Sequence, residues 1–347
     1  MSSMSRMPRR TATCPTRVDL AGGTLDIWPL NMLVNGALTV NVAIDLWATA
    51  EIEEIPDAGL RAEIRSEDQG VDEVWRPPAS PPANTRLPLI AECVRYFSPE
   101  RSFRLTTRCA SPAGAGLGGS SSLAVGLLGA VGEFLGRPLH GPEELVAVAK
   151  DLEARVLGIP TGTQDHLAAA YGGAAAIHYG PGPSVRESLP VDLGLLGSRL
   201  VIAYAGASRL SAGSNWDMMR RTIEGEGKTR EGLQAIATIA GEMRSALIES
   251  DLDAVGLLLD REWQERRRLS PKVSTEIIER SIDVARRAGA IAGKACGAGG
   301  GGCIAFLCRE GARDAVTGAL ATLQADGLRL LETRPTATGL TVRADER

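Results

Sequence analysis

The chain has 347 residues, 44% of them hydrophobic and 23% charged, with a net charge of -4. That length suits two packed lobes rather than one core, and the acidic balance argues against a nucleic-acid binder, which needs a basic stripe. No apolar h-region follows the early arginines and no long apolar run occurs, so neither a secretory leader nor a membrane span is expected.

Residues 11–55 read as strands: Leu38, Val40, Val42 and Ile44 alternate, and Trp47 to Ile55 favours β structure. Residues 76–86 form a Pro-rich loop. Helical spacing follows at 87–97, a strand at 102–109, and then a Gly- and Ser-rich segment. Helices are predicted over about 123–135 and 143–157, the second opened by Gly-Pro-Glu-Glu, and another starts near Asp165. Strand signals return at 200–204, before helical stretches at about 213–249, 251–268 and 274–288. A glycine run at 297–302 leads into an apolar strand, 303–308. A helix at about 311–325 and a strand near 340–342 close the chain. Strands first, helices next and a mixed tail indicate an α+β protein of two lobes, 10–190 and 191–347, divided near 185–200, where Pro/Gly-rich Gly180-Pro-Gly-Pro183 precedes the new strand.

Six cysteines, at 14, 93, 109, 296, 303 and 308, form no Cys-x-x-Cys pair and read as reduced thiols of a cytoplasmic protein. The forty glycines cluster at 22–23, 114–119, 172–173 and 297–302 without a period. Such clusters mark sharp bends or close backbone approach, so a site assembled from distant segments is expected.

The segment Ser111-Pro-Ala-Gly-Ala-Gly-Leu-Gly-Gly-Ser-Ser-Ser-Leu123 lies between a strand and a helix and holds four Gly and four Ser. Glycines let successive N–H groups face one concavity, and the helix start adds unpaired donors and a positive dipole end. A phosphate chain fits there; a plain turn with a Ser cap needs far less glycine and serine. A Walker A motif fails, because Thr222 stands where Gly227-Lys228-Thr229 requires glycine. Gly114, Gly116 and Gly119 do give Gly-x-Gly-x-x-Gly, but the next acid, Glu133, falls inside the following helix, so a dinucleotide-dependent oxidoreductase ranks second.

This loop resembles the Pro-x3-Gly-Leu-Gly-Ser-Ser-Ala signature of the GHMP kinases. Pro112, Gly116, Leu117, Gly118 and Ser120 match, and Gly119 and Ser121 replace Ser and Ala. Pro15-Thr-Arg-Val-Asp-Leu-Ala-Gly-Gly-Thr-Leu-Asp26 is similar to the family's first motif, and Lys294-Ala-Cys-Gly-Ala-Gly-Gly-Gly-Gly-Cys303 to its third. The resemblance implies an N-terminal lobe like domain 2 of ribosomal protein S5 and a ferredoxin-like α/β C-terminal lobe. It also implies ATP and Mg2+, a small-molecule acceptor, and a monomer or homodimer. Pro112, Gly114, Gly116, Leu117, Gly118, Gly119, Ser120, Ser121 and Ser122 would surround ATP. Ser120 and Glu153 would hold Mg2+, a cation that prefers hard oxygen donors.

Gly158-Ile-Pro-Thr-Gly-Thr-Gln-Asp165 is similar to the segment carrying the family's catalytic aspartate, which makes Asp165 the base or the group orienting the acceptor hydroxyl. Arg17 would keep Asp165 ionised and steady developing charge. Asp26 would accept sugar hydroxyls, with Gly22, Gly23, Thr24, Gly162, Gly299 and Gly300 on the acceptor side. Plainer roles stay open: a surface strand residue for Arg17, a turn for Asp26, a helix cap for Asp165, a solvated face for Glu153. His166 reads as a packing residue. The first motif and the Gln-Asp form look closest to the sugar branch, similar to heptose 7-phosphate kinases and fucokinases, so a sugar or sugar phosphate phosphorylated at its anomeric hydroxyl is expected. A non-sugar alcohol such as mevalonate is the alternative within the family. Arg266, Arg267, Arg268 and Lys272 are either a second anion site or a solvated helix face.

Overall fold

Strand β1 (Arg9–Ala21) runs antiparallel to β2 (Leu38–Glu54), with a short helix α1 (Leu30–Leu33) between them. The computed structural model describes residues 9–56, 59–206 and 211–344. The first eight residues, at the arginine-bearing start of the chain, and the last three of the expected second lobe lie outside the described residues. Among those described, no helix is long and apolar enough to cross a membrane.

A hairpin follows, β3 (Ala62–Ser66) and β4 (Val71–Trp75), and then α2 (Pro88–Phe97) and β5 (Phe103–Cys109). Helices α3 (Gly119–Phe134), α4 (Pro142–Leu157) and α5 (Gln164–Tyr171) lead to β6 (Ala174–His178) and β7 (Val185–Ser188). A short helix α6 (Leu193–Arg199) leads into β8 (Leu200–Tyr204). Then come α7 (Ser211–Ile223), α8 (Gly227–Ile248), α9 (Leu252–Leu269) and α10 (Glu276–Arg287). Strands β9 (Ala290–Ala295) and β10 (Cys303–Cys308), helix α11 (Arg313–Ala321), β11 (Arg329–Leu331) and β12 (Thr341–Ala344) complete the described chain.

Two sheets result. The larger has the order β12-β1-β2-β5-β3-β4, with β6 paired to β2 and β7 to β6; the smaller is β11-β8-β10-β9, antiparallel throughout. The smaller sheet with its helices is the expected ferredoxin-like lobe. One sequence boundary is corrected. The chain end does not stay with the second lobe, because β12 returns to pair with β1, where Leu340 and Val342 pack beside the core of the first lobe. The single helix expected over 213–249 is two, broken at Gly225, whose φ of +84° reverses the chain. The oxidoreductase alternative also falls. The glycine loop leads from β5, an antiparallel partner of β2, and two further helices follow α3 before the next strand, so no parallel βαβ unit carries it.

Alternation explains the packing. Leu38, Val40, Val42 and Ile44 face a core shared with Ile239, Met243, Val255 and Leu259 of the second lobe. Further along β2, Ala48, Ala50 and Ile52 face α3 instead. The two lobes therefore share one apolar seam rather than meeting at a wet interface. In the smaller sheet Ile202 and Ala305 join that seam, while Val201 and Phe306 turn to the core under α10 and α11. Truncating Phe306, which is fully buried, to alanine costs about 3–5 kcal/mol.

Candidate active site

A cavity of about 660 Å³ opens where the first motif, the glycine loop and the 159–165 loop converge. The glycine loop forms its floor. Gly114, Gly116 and Gly118 all have φ near +70°, alternating with Ala115 and Leu117, which are buried. At Gly116 a side chain is excluded twice over, by φ +74° and by the Cys296 carbonyl, 2.4 Å from where a Cβ would stand. The third motif supports the loop from below, with Cys303 N donating to Ala115 O at 2.7 Å. Helix α3 begins at Gly119, four residues before the predicted start, so its first-turn N–H groups belong to the loop. Ser120 and Ser121 line the cavity. Ser122 does not: it is fully buried and donates to Pro15 O at 2.7 Å, which corrects its expected place beside the nucleotide.

Glu153 reaches the loop from α4. Ser120 Oγ donates to its Oε1 at 2.5 Å and Ser121 Oγ to Oε2 at 2.7 Å. His166 Nε2 lies 3.0 Å from Oε2, off the line of a straight hydrogen bond. Burial pushes the Glu153 carboxyl up, but His166 and the two hydroxyls outweigh it and hold it at about 2. Glu153 is thus a buried carboxylate, not a solvated helix face. His166, read from sequence as a packing residue, is its buried neighbour, and nothing in their thirteen-residue separation announced the pair.

Asp165, in the first turn of α5, is clamped by Arg17. Arg17 Nε donates to Asp165 Oδ1 at 2.7 Å, Nη2 stands 2.5 Å from the same oxygen, and Nη1 donates to Gly116 O at 2.6 Å. Arg17 is only 4% exposed, so it is a buried counter-ion rather than a surface strand residue. The Asp165 carboxyl presses on the loop: a Cβ at Gly118 would lie 3.1 Å from its Cγ. Asp26 faces it across the cavity. Gln164 N donates to Asp26 Oδ2 at 3.3 Å, and Gly162 passes so close that a Cβ there would fall 1.7 Å from that oxygen. Burial first, and the charge of Asp165 second, raise the Asp26 carboxyl to about 6.

The remaining acceptor-side residues divide. Gly23, Thr24 and Gly162 line the cavity, as does Gly297 of the glycine run. Gly22 packs on Leu38 of β2, and Gly299 and Gly300 pack on Val273, so these three are structural rather than substrate-facing. Asn215 of α7, unpredicted, lines the cavity and accepts a hydrogen bond from Thr24 Oγ1 at 3.0 Å. The arginine cluster is corrected as well. Arg266 is 5% exposed and paired with Glu262, whereas Arg268 and Lys272 are exposed. The Glu262–Arg266 spacing of four residues on a helix was the available signal. Among the described residues no cluster of three or more His, Cys, Asp or Glu is set to hold a metal.

A glycine-rich anion cradle at a helix start, faced by a clamped aspartate and backed by a ferredoxin-like lobe, is the architecture of a small-molecule kinase. The chain belongs to the GHMP kinase family: residues 88–173 match the GHMP kinases N terminal domain and 243–325 the GHMP kinases C terminal domain. It is 32% identical over 210 residues to the D-glycero-alpha-D-manno-heptose 7-phosphate kinase of Campylobacter jejuni, a match spanning 59% of this chain and 61% of that protein. It is 31% identical over 241 residues to the mevalonate kinase of Thermococcus gammatolerans, covering 65% of this chain and 67% of the relative. Among solved structures, a D-glycero-D-manno-heptose 1-phosphate kinase from Bacteriodes thetaiotaomicron superposes with a TM-score of 0.78 at 26% identity, over 97% of this chain and 100% of that one.

Proposed function

We propose that this protein transfers the terminal phosphoryl group of ATP to a hydroxyl, the anomeric one, of a sugar or sugar phosphate. The observation that carries this reading is the arrangement of Asp165, clamped by Arg17, between the glycine loop and Asp26. An acceptor hydroxyl bound by Asp26 lies beside a carboxylate that accepts its proton or orients it, next to the cradle that holds the phosphates. Phosphoryl transfer asks mainly for such positioning and charge neutralisation. Arg17 pairs with Asp165 and ties it to the loop through Gly116 O. Glu153 and Ser120 offer adjacent hard oxygens that suit Mg2+, which when bound neutralises phosphate charge.

The sugar reading is favoured over a non-sugar alcohol by Asp26, a carboxylate suited to two neighbouring hydroxyls, and by the heptose phosphate kinase relatives. Incubation with Mg-ATP and a panel of free and phosphorylated sugars, mevalonate and homoserine tests it by ADP release. Release with a sugar is expected. Release with mevalonate or homoserine and with no sugar contradicts the reading.

A further inference from the structure

Four charged side chains lie under the acceptor loop and take no part in that scheme. Asp19, Glu262, Arg266 and Lys294 are each 5% exposed or less. Lys294 Nζ is 3.1 Å from both Asp19 Oδ2 and Glu262 Oε1. Arg266 Nε is 2.6 Å from Glu262 Oε1, and its Nη2 stands 3.6 Å from Asp19 Oδ2. The charges balance, two against two, yet Asp19 Oδ1, Glu262 Oε2 and Arg266 Nη2 have no hydrogen-bond partner. A buried ionic cluster of this kind is a poor route to stability, since packed apolar residues often serve as well or better. It does form a bridge: Asp19 belongs to β1 of the first lobe, the other three to α9 and β9 of the second.

Two loops of the cleft leave from this bridge. Just beyond Asp19 the chain enters the acceptor loop, Gly22 to Asp26. A Cβ at Gly23 would fall 2.4 Å from Asp19 Oδ2 and 2.6 Å from Arg266 Nη2, so the loop backbone rests directly on the ion pair. Arg266 Nη1 is 3.5 Å from Thr24 Oγ1. Thr24 is β-branched yet has φ +75°, a conformation that persists only where its surroundings impose it. Just beyond Lys294 the chain enters the glycine run that packs under Ala115 and Gly116 of the phosphate loop. We propose that the Asp19–Lys294–Glu262–Arg266 quartet is a positioning device that fixes the acceptor loop relative to the phosphate loop and so aligns the acceptor hydroxyl with the transferred phosphate. This inference rests on the kinase reading of the cleft.

Two full-length variants test it: Asp19→Asn, which is nearly isosteric, and Asp19→Asn with Lys294→Met, which removes one charge of each sign and strands no buried ion. Steady-state kinetics use Mg-ATP and the best sugar of the panel, and hydrogen–deuterium exchange is read without substrates. The acceptor KM is expected to rise about tenfold or more while the ATP KM stays within about twofold. Exchange over residues 20–30 rises in both variants, and that of α3 is unchanged. Both KM values moving together, unchanged exchange over 20–30, or failure of both variants to fold overturns the proposal and leaves the quartet a stability element. If the parent protein turns over no sugar, the sugar reading fails, and the exchange comparison alone decides the role of the quartet.

Discussion

Asp165 and Asp26 are two carboxyl groups in one cavity to which the proposed function gives different tasks, and their surroundings differ. Arg17 supplies Asp165 with a cation, whereas Asp26 has backbone donors and a like charge opposite. Asp165→Asn is therefore expected to lower kcat by about 10²–10⁴-fold with the ATP KM little changed. Steady-state kinetics check it, and an unaltered kcat removes Asp165 from its role. For Asp26 the sign follows from its carboxyl being raised to about 6. The folded state binds that proton more tightly than the unfolded chain, so this residue costs stability increasingly as pH rises from the ordinary carboxylate range through about 6. Asp26→Asn should thus be more stable than the parent near pH 7.5 by about 1–3 kcal/mol, with the gap closing toward pH 4, while binding the acceptor poorly. Thermal melts across that range read the difference. In the parent, kcat/KM for the acceptor falls below about pH 6 as Asp26 gains its proton. Glu153 behaves oppositely: held at about 2, it contributes stability above the ordinary glutamate range, lost as pH falls toward 2.

Among the elements, the glycine loop carries the sharpest expectation. Gly116→Ala should raise the ATP KM and lower stability, because φ +74° alone costs about 1–2 kcal/mol and the Cys296 carbonyl blocks the added methyl. Gly136→Ala is the control: its φ is +67° but nothing lies within 4 Å, so stability drops modestly and KM is unmoved. Equal effects on ATP KM would mean that the loop geometry is not what holds the nucleotide. The long strands, the Pro-opened helix α4 and the loop itself were legible in sequence, because alternation, helix-start chemistry and glycine density are local signals. Helix α3 began earlier than read, since Gly119 and the three serines look like loop until the first-turn donors are seen to have work there. Strands β9, rich in alanine and glycine, and β11, three residues long, carry little β signal of their own and form because β10 and β8 pair with them. In the site, Arg17, Asp165 and Glu153, each from a different segment, line one cavity. Ser122, Gly22, Gly299 and Gly300 face protein instead of the cavity, a distinction that rests on which way a side chain points or a turn packs, and a motif does not encode that. The quartet was hidden because its members lie up to 275 positions apart.

On the scale of the whole molecule, the two lobes are bound by a shared core and by the quartet, and the chain end straps the first lobe. Leu340 and Val342 fill the space beside Gly129 of α3, and β12 covers the edge of β1. Deleting residues 333–347 should lower the melting temperature and expose that edge to aggregation; a melting curve identical to the parent's would show the strap to be dispensable. The cavity is floored by the phosphate loop and walled by residues of both lobes, so the central claim concerns what crosses it. That claim is tested most directly by 31P NMR of the product formed from Mg-ATP and the sugar that the panel selects. The account predicts ADP together with a new phosphate ester coupled to an anomeric proton. A phosphate on another hydroxyl would contradict the anomeric assignment, and the absence of any sugar phosphate, with mevalonate or homoserine phosphorylated instead, would contradict the account itself.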